Sequence, residues 1–222
     1  MPRRPRIVVP DYPHHVIQRG ARRMPVFFQD SDYKDYLRII TKVAVKEQVD
    51  ILAYCLMPNH VHFICVPKTA DGLARLFREA HRKYSTMVNR REDWVGNLWQ
   101  GRFTSIVMDE RHTLIAARYI ELNPVKARIV RNPARYKWSS ASAHLSETDD
   151  GIVSTQPLAR LVPDWERFLS DPTDEVSLED QLAKLEGQSG CLGSDTFIER
   201  LENKLSTSLR TKSQGRPKKV TE

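Results

Sequence analysis

Two histidines one residue apart, His60-Val61-His62, are the sharpest local feature of this 222-residue chain. Side chains alternate along a strand, so both imidazoles point the same way, about 7 Å apart along the chain. A pair placed so can grip one divalent ion while Val61 packs on the other face. The plainer alternative is two histidines tucked against a polar edge. The residues that follow, Phe63, Ile64, Cys65 and Val66, are apolar on both faces, which predicts a strand covered on both sides. Two adjacent buried imidazoles are then costly unless something occupies them.

The second feature lies in Arg118 to Val130 (RYIELNPVKARIV). At 100° per residue, Tyr119 and Asn123 sit only about 40° apart on a helix. They fall among Ile115, Ala116, Ile120 and Leu122, on the apolar face. A core tyrosine with Asn123 ending the helix before Pro124 explains this pair taken alone. Beside a two-histidine strand, a phenol is also a competent nucleophile toward a metal-polarised phosphodiester, and Asn123 can add an oxygen ligand.

Charge points to a polyanion. The net charge is +7 with 35 Lys+Arg, and it is unevenly spread. Residues 1–146 carry 25 basic and 13 acidic groups, 147–209 carry 5 and 14, and 210–222 carry 5 and 1. A basic body fits nucleic acid, although a solvated basic surface has the same composition. Candidate contacts are the N-terminal arm Arg3, Arg4 and Arg6, and Arg19 at a strand end before Gly20. Arg75, Arg78 and Arg82, with Lys83, share a helix face opposite the apolar one and form a possible phosphate track. Trp99, Gln100 and Arg102 precede a strand, where a tryptophan can stack on an unpaired base, a glutamine read adenine and an arginine read guanine; a core tryptophan with a surface arginine is the even alternative.

These residues need elements to hold them. Periodicity predicts strands at His14–Arg19, Asp50–Met57, His60–Val66 and Phe103–Met108. It predicts helices from Asp32, capped by Ser31, to about Gln48, from Gly72 to Arg91, and from Asp109 or Glu110 to Asn123, where Pro124 stops the last. The order β-α-β-β-α-β-α reads as an α+β fold, a ferredoxin-like sandwich with an additional tyrosine-bearing helix, and puts the histidine strand inside the sheet. A catalytic domain is expected over 1–146. An acidic helical extension over 147–209 follows, with helices at Leu158–Leu169, Leu178–Leu185 and Leu192–Leu205, and then a basic, mobile tail over 210–222. The acidic stretch and basic tail are expected to be regulatory: the acidic segment can dock on the basic body and compete with DNA, or its helices can complete the fold and serve catalysis. Three scattered cysteines exclude a disulfide scaffold or zinc ribbon, and the apolar stretch Val49–Val66 is too interrupted to cross a membrane. A cytoplasmic, nucleoid-associated protein is expected.

MPNHVHFI (57–64) with RYIELNP (118–124) resembles the single-tyrosine HUH transposases. HHVIQRG (14–20), LWQGRF (98–103) and GRPKK (215–219) make the chain most similar to the REP-associated tyrosine transposases. The resemblance covers about residues 7–145 and, more loosely, the C-terminal part. It implies a ferredoxin-like catalytic domain, Mg²⁺ or Mn²⁺, and single-stranded or hairpin DNA as substrate, cut with a tyrosine joined to the 5′-phosphate. Carried onto this chain, His60 and His62 become metal ligands, Tyr119 the nucleophile and Asn123 the third ligand. Asn123 stands where related insertion-sequence enzymes more often carry glutamine, one methylene longer. The expected function is metal-dependent nicking and strand transfer on repetitive palindromic DNA. The rival is a non-catalytic binder of structured nucleic acid on the same fold. A phosphoesterase with two H-x-[ST] motifs is disfavoured, since only His144-Leu145-Ser146 fits that pattern. Monomer and homodimer both remain open, with a monomer preferred.

Overall fold

A computed structural model describes residues 6–171 and 190–209 of the chain. Four short runs form the strands β1 (His14–Arg19), β2 (Val49–Met57), β3 (His60–Pro67) and β4 (Thr104–Met108). Three long helices connect or follow them: α1 (Asp30–Lys46), α2 (Gly72–Glu92) and α3 (Glu110–Lys126). The sheet order is β2-β3-β1-β4, every neighbouring pair antiparallel, with a fifth strand β5 (Gly190–Leu192) added parallel to β4. The first four strands have the ferredoxin-like arrangement, and the histidine strand β3 is interior, as the pattern predicts.

Both faces of the sheet are covered, so β1 and β3 are buried on both sides. Val16, Val61, Phe63 and Cys65 face α1 and α2, packing with Tyr36, Ile40, Leu76, Phe77 and Tyr84. Ile64, Cys55, Ile106 and Met108 face α3, packing with Ala116, Ala117 and Ile120. Alternation puts His60 and His62 on this second face, with Ile64.

Several expected boundaries move. Helix α1 starts at Asp30, and its cap is Gln29, not Ser31. The Asp32 carboxylate accepts the Phe28 and Gln29 amides in a capping box and pairs with Arg91 of α2. Helix α3 does not stop at Asn123: Pro124 lies inside it and the helix reaches Lys126. The later turn survives because the Ala127 amide donates to the Asn123 carbonyl and the Ile129 amide to Pro124. Proline lacks an amide hydrogen and its ring crowds the carbonyl one turn back, but the bonds beyond it are still made.

Beyond residue 145, where α4 (Ala141–Leu145) ends, the predicted helix over Leu158–Leu169 is two short ones, α5 (Gln156–Ala159) and α6 (Trp165–Ser170). Helix α7 (Asp195–Leu205) begins three residues after the expected start at Leu192, capped by Ser194, whose Oγ accepts the Phe197 amide. The expected helix Leu178–Leu185 and the basic tail lie outside the described residues. The line expected at residue 146 is crossed in two places. Strand β5 extends the sheet, and Leu158, Trp165 and Leu169 join the core under α3. Strand β5 is only three residues long, too short for a period to announce it.

Candidate functional site

His60 and His62 sit on interior strand β3 with ring centroids 4.8 Å apart. Tyr119 comes to them from α3, its ring edge-on to His62 at 5.8 Å. The structure thus brings together within one chain a strand and a helix separated by more than fifty residues. Asn123 is one turn beyond Tyr119 and half-buried.

Each histidine has its Nδ1 engaged. His60 Nδ1 is 2.7 Å from Asn59 Oδ1, and His62 Nδ1 is 3.0 Å from His15 Nε2. His62 Nε2 is a buried nitrogen without a hydrogen-bond partner among the described residues. Burial pushes His60 and His15 down to about 3, and His62 well below the usual imidazole value, the positive neighbour Arg19 adding to the effect at His60 and His62. All three rings are therefore neutral near pH 7, the state in which imidazole coordinates a metal. The orphaned His62 Nε2 and the engaged Nδ1 atoms fit a divalent cation on the two rings. Among the described residues no group of three or more His, Cys, Asp or Glu side chains is placed to hold a metal. Further ligands would be neutral oxygens or phosphate, donors that suit Mg²⁺ or Mn²⁺.

Three neighbours of this centre escape sequence reasoning. His15 and Asn59 act through cross-strand and turn geometry that spacing does not reveal. Lys126 places its ammonium 5.2 Å from the Tyr119 ring centroid, a contact available only because α3 continues past Pro124.

The expected DNA contacts divide. Arg19 lies directly across the β1–β3 ladder from His60, on the histidine face. Arg78, Arg82 and Arg102 are exposed and, with the half-buried Arg6, line a groove of about 690 Å³ on the α2 side of the sheet, together with Gln18, Asn89 and Asn97. Among the described residues no carboxylate lines that groove. Arg6 is anchored there by its hydrogen bond to the Phe103 carbonyl and by its guanidinium 3.8 Å over the Phe103 ring. Gln18 lines the groove while its neighbour Arg19 faces the histidines, so the end of β1 joins the two regions. Gln100 is exposed beside it, its backbone bonded to Arg19 and to the Gln18 carboxamide.

Two expected contacts look different in the fold. Arg75 is not with Arg78 and Arg82 in the groove; Glu47 and Asp71 neutralise it, and Thr69 accepts from it. Trp99 is a core residue, 7% exposed, stacked on His81 at 4.2 Å and packed with Tyr36 and Tyr84. Stacking on His81 leaves only that small exposed part of Trp99 on the groove, which it lines with Arg78 and Arg82. Arg3 and Arg4 lie outside the described residues.

Among the described residues no helix is long and apolar enough to cross a membrane. No functionally curated protein matches the chain. Among solved structures, a REP-associated tyrosine transposase bound to a REP hairpin is 21% identical, with a TM-score of 0.57 over 68% of this chain and 88% of that one. This likeness is one of fold. A protein assigned as a transposase from Deinococcus radiodurans R1 is 23% identical over 54% of this chain and 95% of its own, with a TM-score of 0.37. The family described as "Transposase IS200 like" matches residues 8–123, more than half of the chain and the whole stretch from β1 to Asn123. A sheet carrying paired histidines, a tyrosine helix laid on them and this match lead to one conclusion: the chain belongs to the IS200-like transposase family.

Proposed function

We propose that this protein is a metal-dependent single-strand DNA endonuclease and strand-transferase, acting beside hairpins of repetitive palindromic elements, with Tyr119 as its nucleophile. The observation that carries the reading is Tyr119 set edge-on to His62, whose buried Nε2 has no partner among the described residues. A structural tyrosine on an apolar helix face does not call for two buried neutral imidazoles beneath it.

In this reading the Tyr119 oxygen attacks the phosphorus, forming an O–P bond as the bond to the 3′-oxygen breaks. The phenol gives up its proton and the departing 3′-oxygen takes one up. The 5′ end stays on the protein, and attack by a 3′-hydroxyl on that phosphotyrosine reverses the step and joins strands. His60, His62 and Asn123 would hold Mg²⁺ or Mn²⁺, which when bound polarises the phosphate and offsets charge in the transition state. Arg19, across from His60, and Lys126, beside Tyr119, attract the phosphate from two sides. The groove of Arg6, Arg78, Arg82 and Arg102 holds the backbone away from the reacting bond, and the end of β1 leads the strand from one to the other. Nucleophile and histidines come from the same chain, so a monomer contains a complete site.

The test is denaturing electrophoresis of the full-length protein with hairpin oligonucleotides carrying single-stranded flanks, in Mn²⁺. The fragment 3′ of the nick should shift to a protein-sized band, and Tyr119→Phe should bind DNA without forming it. A persisting adduct in Tyr119→Phe moves the nucleophile elsewhere. Wild-type binding with no nicking in Mn²⁺ favours the non-catalytic binder.

A further inference from the structure

A histidine can ligate through Nε2 only if its proton sits on Nδ1, since a neutral imidazole has one N–H and one lone pair. For His60 the neighbour decides this. Its Nδ1 faces the Asn59 carboxamide oxygen at 2.7 Å, an atom that only accepts, so the proton is on Nδ1 and Nε2 is bare. For His62 the neighbour is another imidazole. His62 Nδ1 and His15 Nε2 are 3.0 Å apart, with the rings stacked at 5.2 Å and an interplanar angle of 22°.

One proton between two imidazole nitrogens allows two arrangements. If His15 donates, the proton of His62 is on Nε2, and His62 cannot ligate. If His62 donates, His62 Nε2 presents a lone pair. His15 is fully buried on interior strand β1, where its ladder partner is Ile64 and the next inward residue on the same face is Ile17. An aliphatic side chain is the ordinary occupant of such a position. The His15 ring instead carries a second buried nitrogen, Nδ1, with no partner among the described residues. Packing does not account for an imidazole there, whereas a partner for His62 does.

We propose that His15 is a positioning residue of the metal centre: its Nε2 accepts the Nδ1 proton of His62 and so fixes the tautomer and ring direction that present His62 Nε2 to a divalent cation. Asn59 does the same for His60. The inference rests on the metal reading of the proposed function. Outer partners of ligating histidines commonly contribute 10–100-fold in metal affinity.

The test is titration of the full-length protein with Mn²⁺ in the absence of DNA, read by electron paramagnetic resonance. It is joined to ¹⁵N spectra of the imidazoles in Mg²⁺. His15→Phe should weaken Mn²⁺ by about 10–100-fold. His15→Gln, whose carboxamide oxygen can accept from His62, should recover most of the loss. The wild-type spectrum should show His62 protonated on Nδ1. Equal Mn²⁺ affinity in wild type and a folded His15→Phe overturns the role of His15 and leaves the metal reading standing. A proton on His62 Nε2 in wild type overturns it without any variant. No Mn²⁺ binding by wild type removes the metal reading and this inference with it.

Discussion

Glu121, two residues after the proposed nucleophile, is a fully buried carboxylate whose partners lie later in the chain. Its Oε1 accepts from Ser140 Oγ at 2.6 Å and from His144 Nδ1 at 2.5 Å, and its Oε2 accepts from Trp165 Nε1 at 2.8 Å. Trp165 belongs to α6, so this bond ties the acidic segment to the helix carrying Tyr119. Trp165→Phe keeps an aromatic ring against His144 and Phe168 but removes the only donor to Oε2 among the described residues. A hydrogen bond to a charged group contributes about 1.5–3 kcal/mol, and leaving a buried acceptor unmet falls in the same range. With a small packing loss, the expected destabilisation is about 2–3 kcal/mol, or about 1 M in the urea midpoint at an m-value near 2–3 kcal/mol/M. The same substitution made in Glu121→Gln, where the acceptor is neutral, should cost about 1 kcal/mol. The cycle then isolates a coupling of about 1–2 kcal/mol. Urea denaturation of the four proteins followed by circular dichroism is the assay. A Trp165→Phe effect below about 0.5 kcal/mol, or a cycle without coupling, refutes the claim that this bond secures α3.

DNA affinity should respond to the groove and not to Arg75. Replacing Arg78, Arg82 and Arg102 by alanine should reduce the slope of log affinity against log salt by about 2, at about 0.7 per single-strand phosphate contact, whereas Arg75→Ala should leave it unchanged; fluorescence anisotropy of a labelled hairpin oligonucleotide across a salt series measures both. Stability should fall in mild acid through His14 and His81. Burial lowers His14 to about 4 and His81 to about 3. The unfolded chain, titrating near 6.5, therefore binds more protons, and the stability present above that pH is lost as pH falls below it. Each group should contribute about 2 kcal/mol of loss between pH 7 and pH 5. His81→Gln, which keeps a partner for the Tyr36 hydroxyl, should shrink the urea-midpoint difference between those pH values; an unchanged difference would show that His81 is not the proton acceptor.

The chemistry of this protein is written locally and its arrangement is not. The short apolar run of HVHFICV and the 3.6 period of α1, α2 and α3 announce the elements, because each buries a stripe or face that one stretch of sequence specifies alone. The His60-Val61-His62 spacing fixes two imidazoles on one side of a strand for the same reason. What lies across a ladder or between layers depends on register and packing, which no single segment encodes. Only the β1–β3 register sets His15 against His62 and Arg19 against His60. Only helix packing uses up Arg75 on Glu47 and buries Trp99 against His81. The helix persists through Pro124 and carries Lys126 to Tyr119 because later amides find carbonyls, an outcome that a local breaker rule does not foresee. Strand β5 and Trp165 lie in a stretch whose acidic composition suggests a separate appendage. The edge of β4 and the buried carboxylate of Glu121 draw them into the body, because unpaired strand edges and buried charges need partners wherever the chain can supply them.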